Sequence, residues 1–330
     1  MVTSRSSASG RLVLAAVVCL VACSRPTATP SLAPAATTHA QVAATPASSA
    51  AVTLTDHQGR TIQLASPARR IVSLSPALTE ILFAVGCGDA VVLRDGWSDY
   101  PPQARAIPAA HGFVPNAEAI LATHPDLVLT HFPPAALRTA LDAAKVPYLG
   151  YSPKDLQQVQ ETLGDVARAC GQPEAGQVLQ QAFARQLEDI RRRVAGLPRP
   201  RVFYEMDAGD GARPFTVSRE AFGHAVLEAA GGQNLFADAA LPWFQVSTEA
   251  VLVGDPDAIL LADADAIEAP QSLASVRARP GWQALRAVRQ GRVHPLRSDW
   301  VSRPGPRLVL GVEQIAQALH PEAFPSREAK

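Results

Sequence analysis

The sequence carries the same pattern twice, 131 positions apart. Residues 116–129 read NAEAILATHPDLVL, and residues 247–260 read STEAVLVGDPDAIL. Each copy places an N-capping Asn or Ser before a short amphipathic stretch, followed by a Pro-Asp pair and an apolar run. This order predicts a capped helix, a turn and a buried strand. Because the copies stand so far apart, they indicate two similar lobes rather than a short-period solenoid.

The repeat places one glutamate at the same point in each copy. Glu118 and Glu249 lie two residues after the capping residue, in the first turn of the predicted helix. A carboxylate there interacts favourably with the helix dipole, which is one interpretation of both residues. The other interpretation is that matched carboxylates on two lobes form a two-pronged contact for a partner. The pattern alone leaves both open.

Short apolar runs alternate with helical patterns over most of the chain. A hairpin at 52–64 precedes the first alternating region, and a helix from Pro173 to about Ala195 precedes the second. That helix, at 1.5 Å per residue, would extend about 33 Å and could connect both lobes. Strands alternating with helices are typical of parallel sheets covered on both faces, so the predicted fold class is α/β.

The N-terminus is interpreted as a targeting segment. Arg5 and Arg11 precede an apolar run at 12–21 that is too short to span a bilayer stably. Residues 20–23, Leu-Val-Ala-Cys, resemble the lipobox at which bacterial lipoprotein signal peptides are cut before an acylated cysteine. An ordinary signal peptide with an incidental cysteine is the alternative. The sequence favours a lipid anchor at Cys23, in the periplasm or on the outer side of the cytoplasmic membrane.

The predicted segments follow from these patterns. Residues 24–51 are almost entirely Pro, Ala, Thr, Ser and Val, a composition that cannot bury enough apolar surface to order itself. The predicted boundaries are a signal peptide at 1–22, a tether at 23–51, a first lobe at 52–171, a connecting helix at 172–197, a second lobe at 198–322 and a tail at 323–330.

Two cysteines, Cys87 and Cys170, remain in the predicted body. Outside the cytoplasm a disulfide between them would persist. Two separate buried thiols are equally compatible with the sequence, because spacing gives no geometry.

Large aromatic residues are predicted where parallel sheets bind ligands, beyond the carboxyl ends of their strands. Only 5% of residues are aromatic, yet three of the four Trp fall in predicted loops there. Trp282 lies in a helical pattern at 280–288 and is predicted to be core. The loop aromatics indicate a concave, apolar, stacking site. Its predicted members are Trp97, Tyr151, Phe215, Trp243 and Trp300, with His131, Phe132, Asp299 and Arg303 beside them.

Several stretches together resemble a known family. They include RIVSLSPALTEILFAVG, HPDLVL, PWFQVSTEAVL and SDWVSRPGPR, and they are spread over residues 69–319. Over this range the chain resembles the substrate-binding proteins of ABC importers for cobalamin, haem and iron-siderophores, with the strongest likeness to the cobalamin branch. The resemblance implies two Rossmann-like lobes with parallel sheets, joined by one long rigid helix with a ligand cleft between them. It also implies a monomeric carrier that delivers a corrinoid to a permease dimer with its ATPase.

Residue roles carry over where these motifs match. Trp97, Phe215 and Trp243 match aromatic ligand contacts, and Asp299 and Arg303 match polar ones, although these two could also pair with each other at i,i+4 spacing. Glu118 and Glu249 match the lobe-tip carboxylates that pair with permease arginines. The expected ligand-binding set is Trp97, Phe113, His131, Phe215, Trp243, Asp299, Trp300 and Arg303.

The chain departs from the cobalamin branch at several positions. Gly112 and His131 stand where that branch has tryptophans, and Ala230 replaces a cysteine. The haem branch has a tyrosine ligand near Phe113, and phenylalanine cannot ligate iron. Because the chain departs from the cobalamin branch, two alternatives stay open. One is haem, with His111 or His131 as an axial ligand, and the other is a ferric siderophore.

Other classes of function lack support in the sequence. No close-spaced metal-ligand motif occurs, so neither a metal nor a cofactor beyond the bound ligand is expected. No GxSxG, GxxxxGK[ST], HExxH or GxGxxG motif occurs, which disfavours an enzyme. The 30 basic and 30 acidic side chains give a net charge of zero, and no basic face indicates nucleic-acid binding.

Overall fold

The computed structural model describes residues 51–110, 115–209, 213–266 and 270–325, which belong to one compact unit. The predicted signal peptide, Cys23 and nearly all of the predicted tether lie outside these ranges, as do His111, Gly112 and Phe113. Within the ranges, no helix is both long enough and apolar enough to cross a membrane.

The first lobe begins with the predicted hairpin and continues as a five-stranded parallel sheet. The hairpin pairs β1 (Val52–Thr55) with β2 (Thr61–Leu64). The sheet strands are β3 (Ile71–Leu74), β4 (Val91–Asp95), β5 (Ala109–Ala110), β6 (Leu127–Thr130) and β7 (Tyr148–Gly150). Their order is β5-β4-β3-β6-β7. The helices are α1 (Pro76–Ala84), α2 (Ala117–Leu121), α3 (Ala135–Ala143) and α4 (Leu156–Ala169).

The long helix α5 (Pro173–Val194) leads into the second lobe. Its strands are β8 (Arg201–Glu205), β9 (Phe215–Val217), β10 (Gln233–Asn234), β11 (Trp243–Gln245), β12 (Ala258–Leu261) and β13 (Val293–Pro295). A parallel sheet has the order β10-β8-β12-β13, and β9 pairs antiparallel with β11. The helices are α6 (Phe222–Ala229), α7 (Thr248–Gly254), α8 (Leu273–Ala278), α9 (Arg286–Arg289), α10 (Ser298–Ser302) and α11 (Leu308–Leu319).

The duplicated pattern forms the same substructure in each lobe, as predicted. In both copies the capping side chain accepts a hydrogen bond of 3.2 Å from the amide three residues later. Asp126 then accepts from the amides of Arg69 and Arg70, just before β3. Asp257 accepts from the amide of Arg201, which begins β8. Each aspartate thereby holds the repeat strand beside the first sheet strand of its lobe.

Helix α5 connects the lobes as predicted. It packs on α4 of the first lobe and on α6 and α11 of the second. A Cβ added at Gly176 would lie 2.5 Å from the Cβ of Ala167, so only glycine permits this approach of α5 to α4. Phe183, Leu187 and Ile190 of α5 belong to a buried cluster that contains core residues of both lobes.

Some predicted elements differ in the structure. The predicted helix at 280–288 is wrong, because Gly281 has a φ of 81° and separates α8 from a short turn and α9. Phe215 and Trp243 lie in strands β9 and β11 rather than in loops. Trp282 is fully buried, which confirms its predicted core position.

The two body cysteines are joined. Cys87 follows α1 and Cys170 follows α4, and their sulfurs form a disulfide bond of 2.09 Å. The alternative of two separate thiols is therefore not what the structure contains.

Candidate functional site

Two adjoining hollows form the predicted cleft at the carboxyl ends of the strands. The larger, about 350 Å³, lies between the lobes, and the smaller, about 230 Å³, lies against the first lobe. His131 and Phe132 line both. The larger is also lined by Tyr204, Met206, Val217, Phe222, Gly223, Trp243, Val301 and Ser302. The smaller is also lined by Leu74, Pro76, Asp95, Trp97, Ala110, Pro115, Thr130 and Pro134.

The cleft presents exposed aromatic side chains from both lobes. Trp97 is 50% exposed, Phe132 53% and Trp243 40%, whereas most large apolar residues of the chain are buried. The rings of Phe132 and Trp243 meet edge-to-face across the cleft, with centroids 6.3 Å apart. Exposed aromatics gathered in one concavity are typical of a binding surface.

Phe132 was predicted to lie beside the site, but it was not included in the expected ligand-binding set. It belongs to no motif carried over from the resemblance, although it follows β6 directly beside His131. The signal that placed it beside the site was a large apolar residue just past the carboxyl end of a buried strand, where a parallel sheet meets its ligand.

The imidazole of His131 is held in a fixed orientation. Its Nδ1 lies 2.9 Å from the carbonyl oxygen of Tyr151, and its ring meets that of Phe132 edge-on at 4.3 Å. Burial lowers the pKa of His131, and the bond to the Tyr151 carbonyl opposes this less strongly. The ring is therefore neutral at pH 7.

A buried polar network supports Trp97. Asp95 accepts hydrogen bonds from the amides of Trp97 (2.7 Å) and Ser98 (3.0 Å) and from the Ser98 hydroxyl (2.5 Å). The Ser98 hydroxyl also lies 2.9 Å from that of Thr79, which bonds Ser73 at 2.8 Å. The loop after β4 is thereby tied to β3 and α1, so the position of Trp97 is set by buried groups.

The side of the cleft that the second lobe forms, called here the second-lobe wall, is supported by buried charges. Glu205, at the end of β8, is fully buried and forms a two-pronged pair with Arg279, whose Nη2 lies 2.7 Å from Oε1. Asp263, beyond β12, accepts from the amide of Ala208 through Oδ2 at 2.7 Å, while its buried Oδ1 has no hydrogen-bond partner. Burial, with the nearby Glu205 charge, raises the pKa of Asp263 to about 6.

Asp299 and Arg303 lie in an ionic cluster that connects the lobes beside the cleft. Arg303 contacts Asp299 at 2.7 Å and first-lobe Asp99 at 2.9 Å. Arg307 binds buried Glu80 of α1 through two bonds of 2.6 and 2.8 Å. The i,i+4 pairing of Asp299 with Arg303 is therefore formed, and their contact with a ligand stays a prediction. Glu80, 223 residues from Arg303, was not identified from the sequence.

A further hollow of about 480 Å³ lies beside this cluster. Glu80, Phe83, Ala84, Tyr100, Pro101, Gln103, Pro306 and Arg307 line it. Neither Phe215 nor Trp300 is among the residues that line the two cleft hollows, and the Trp300 ring instead lies 4.9 Å from the Arg297 guanidinium carbon. Ligand contacts by these two residues also stay predictions.

The two repeat glutamates lie on short helices of different lobes. Glu118 is in the first turn of α2 and Glu249 in the first turn of α7, and both residues are exposed. Within the described ranges, no group of three or more His, Cys, Asp or Glu residues is arranged to hold a metal ion.

Comparisons with known proteins agree with this architecture. The vitamin B12-binding protein of Vibrio cholerae is 34% identical over 262 residues, which cover 77% of this chain and 90% of that protein. The crystal structure of the periplasmic vitamin B12-binding protein of that organism matches with a TM-score of 0.68 and 31% identity, covering 79% of this chain and 99% of that one.

A haem-binding relative has a similar fold. The periplasmic haem-binding protein of Roseiflexus sp. RS-1, in apo form, matches with a TM-score of 0.69 and 28% identity, covering 78% of this chain and 99% of that one. The model of a family described as periplasmic binding protein matches residues 71–300, which extend from β3 to α10. With both lobes, the connecting helix and the cleft inside or beside that range, the chain belongs to the periplasmic binding protein family.

Proposed function

We propose that this protein captures a corrinoid in the cleft between its lobes and delivers it to an ABC import permease with its ATPase. The observation that carries the proposal is the aromatic cleft, in which Phe132 of the first lobe meets Trp243 of the second and Trp97 lines the adjoining hollow. A corrin ring has apolar faces that such side chains would cover. The identity to a vitamin B12-binding protein supports the same ligand class.

The charges around the cleft favour a ligand with a neutral edge. No Lys or Arg is among the described residues that line the two hollows. In the adjacent cluster, Arg303 and Arg307 are engaged by three carboxylates, those of Glu80, Asp99 and Asp299. The propionates of haem, or an anionic ferric chelate, would be desolvated here without a cation. The primary amides at a corrin edge are neutral, so their desolvation costs less than that of a carboxylate.

Haem is the second candidate, because His131 offers a neutral imidazole to the cleft. The likeness to a haem-binding protein supports it as well. Tyr204, which also lines the larger hollow, is a poorer ligand for ferric iron. Burial, with Asp263 nearby, raises the pKa of Tyr204, and only the phenolate binds iron strongly.

A ligand panel tests the proposal. Cyanocobalamin, ferric haem and a ferric hydroxamate siderophore are titrated calorimetrically into the compact unit Ser48–Lys330, which contains both lobes. We expect cyanocobalamin to bind with a dissociation constant of about 1 μM or below and the other two at least about tenfold more weakly. Trp243→Ala should weaken cobalamin binding, and Leu241→Ala, an exposed apolar residue outside the hollows, should not. If haem binds more tightly than cyanocobalamin, the ligand is haem and the corrinoid proposal is wrong.

The proposal also includes a lipid anchor and a contact with the permease. Acylation of Cys23 would anchor the body to the membrane through the tether. Metabolic labelling with a fatty acid tests this, because Cys23→Ser should lose the label.

Exposed Glu118 and Glu249 would pair with arginines of the permease. These ion pairs would orient the protein and raise its association rate, and salt would weaken both effects. The double variant Glu118→Gln with Glu249→Gln should bind ligand normally but support less uptake. Normal uptake by that variant would exclude the docking role.

A further inference from the structure

We propose that Nε2 of His131 binds the cobalt of the corrinoid as an axial ligand. The cleft would thereby prefer corrinoids whose axial position holds an exchangeable group, such as water, over those capped by cyanide. This inference rests on the proposed function, because it presupposes a corrinoid between the lobes.

The position of His131 is the first support. With Phe132, it is the residue shared by both hollows, so it lies where a ligand filling them would be centred. A carbonyl oxygen only accepts hydrogen bonds, so the 2.9 Å contact with Tyr151 places the ring proton on Nδ1. The lone pair of the neutral ring is then on Nε2, for which the described residues supply no hydrogen-bond partner.

The surroundings of His131 are those of a metal-binding histidine. Such residues usually donate their other N–H to a carboxylate or a backbone carbonyl, which fixes the tautomer and the ring orientation. Here the carbonyl of Tyr151 has that role. The Ser152 hydroxyl donates to the His131 carbonyl at 2.7 Å, and the Tyr151 amide donates to Thr130 at 2.9 Å.

The lack of partner ligands indicates which metal this histidine suits. No cluster of three or more ligating side chains exists among the residues that the structure describes, so a bare ion would find too few donors. A single preorganised nitrogen suits a metal that arrives with its equatorial nitrogens already bound. The exchange breaks the bond from cobalt to water and forms one to Nε2, using the imidazole lone pair. Water leaves, the cobalt oxidation state is unchanged and no proton moves.

Visible spectroscopy and calorimetry with aquocobalamin and cyanocobalamin test the inference. The proteins are the wild type, His131→Ala and His131→Gln, whose amide can still donate to the Tyr151 carbonyl. His124→Asn is the control, because His124 is exposed and has a φ of 47°, a conformation that asparagine tolerates. Circular dichroism melts establish that each variant is folded.

We expect the wild type and His124→Asn to bind aquocobalamin roughly tenfold more tightly than cyanocobalamin. Aquocobalamin alone should change its visible spectrum on binding, as water is replaced by nitrogen. In both His131 variants the spectral change should disappear, and aquocobalamin should bind no more tightly than cyanocobalamin does to the same variant. Equal affinities and unchanged spectra in the wild type would overturn this inference but leave the corrinoid function intact. Failure of both cobalamins to bind would overturn the proposed function itself.

Discussion

The two walls of the cleft present similar aromatic surfaces but are supported in different ways. Behind Trp97, Asp95 is the one carboxylate in a network otherwise made of hydroxyl and amide groups, and both of its oxygens accept hydrogen bonds. Behind the second-lobe wall lie the buried pair Glu205–Arg279 and Asp263, which has one unpartnered oxygen. A similar surface can therefore be built on satisfied polar groups or on buried charge, and the second kind is more sensitive to truncation and to pH.

The largest effect should come from breaking the buried ion pair. Arg279→Ala leaves the Glu205 carboxylate buried without its partner and removes the cation lying 4.6 Å from the Trp282 ring centroid. Loss of one member of a buried pair costs about 3–5 kcal/mol of unfolding free energy. Guanidinium denaturation measures this cost. Arg277→Ala, at an exposed arginine two residues earlier in the last turn of α8, should stay within about 0.5 kcal/mol. If both variants lose the same unfolding free energy, the buried pair gives the second-lobe wall no special sensitivity to truncation.

A smaller effect is expected in the first lobe. Asp95→Ala leaves the amides of Trp97 and Ser98 and the Ser98 hydroxyl without their acceptor. Unsatisfied buried groups cost about 1–3 kcal/mol each, and the loop can relax towards solvent, so we expect a loss of roughly 2–3 kcal/mol. Because Trp97 is then less fixed, ligand affinity should also fall.

The control for this variant is Asp89→Ala, which removes an exposed carboxylate of the same lobe. Calorimetric titration with cyanocobalamin and thermal denaturation of both variants provide the measurements. A destabilised Asp95→Ala protein that binds cobalamin as tightly as the wild type would show that the network serves the fold and not the position of Trp97.

Some elements of the fold could be predicted from the sequence, and others could not. The repeat, the hairpin and the long helix were readable because local periodicity, capping residues and Pro-Asp turns specify them. The strands β9 and β11 were not, because each has only three residues and follows a proline that suggested a loop. The disulfide was one of two open alternatives, since spacing fixes no distance.

Some residues of the site could also be identified from the sequence, whereas others are revealed only by the structure. Trp97 and Trp243 were identified because large aromatics near strand ends are conspicuous in this composition. Glu80 was not, because it lies within an apolar helix pattern, and only the packing of α1 on the start of α11 reveals Arg307 as its partner. Likewise, nothing local distinguishes Glu205 or Asp263 from exposed carboxylates. Long-range ion pairs depend on how the lobes meet, which no single segment encodes.

The smallest predicted effect concerns pH and separates the walls most directly. Asp263 has a pKa of about 6 in the folded protein, above its ordinary value of 3.8. The folded state therefore holds this proton more tightly than the unfolded state does. The contribution of Asp263 to stability is fully present below pH 4, declines as the pH rises to about 6 and stays low above it.

Asp263→Asn removes this titration while keeping an oxygen that can accept from the Ala208 amide. At 1.36 kcal/mol per pKa unit, the stability of the variant relative to the wild type should rise by about 2 kcal/mol between pH 4 and pH 7. Chemical denaturation at several pH values measures this difference, in which the other carboxylates cancel. Asp89→Asn, at an exposed site, should give a nearly flat difference over the same range. A flat difference for Asp263→Asn as well would mean that the carboxylate behind the second wall ionises as it does in water, and the electrostatic distinction between the two supports would then rest on the Glu205–Arg279 pair alone.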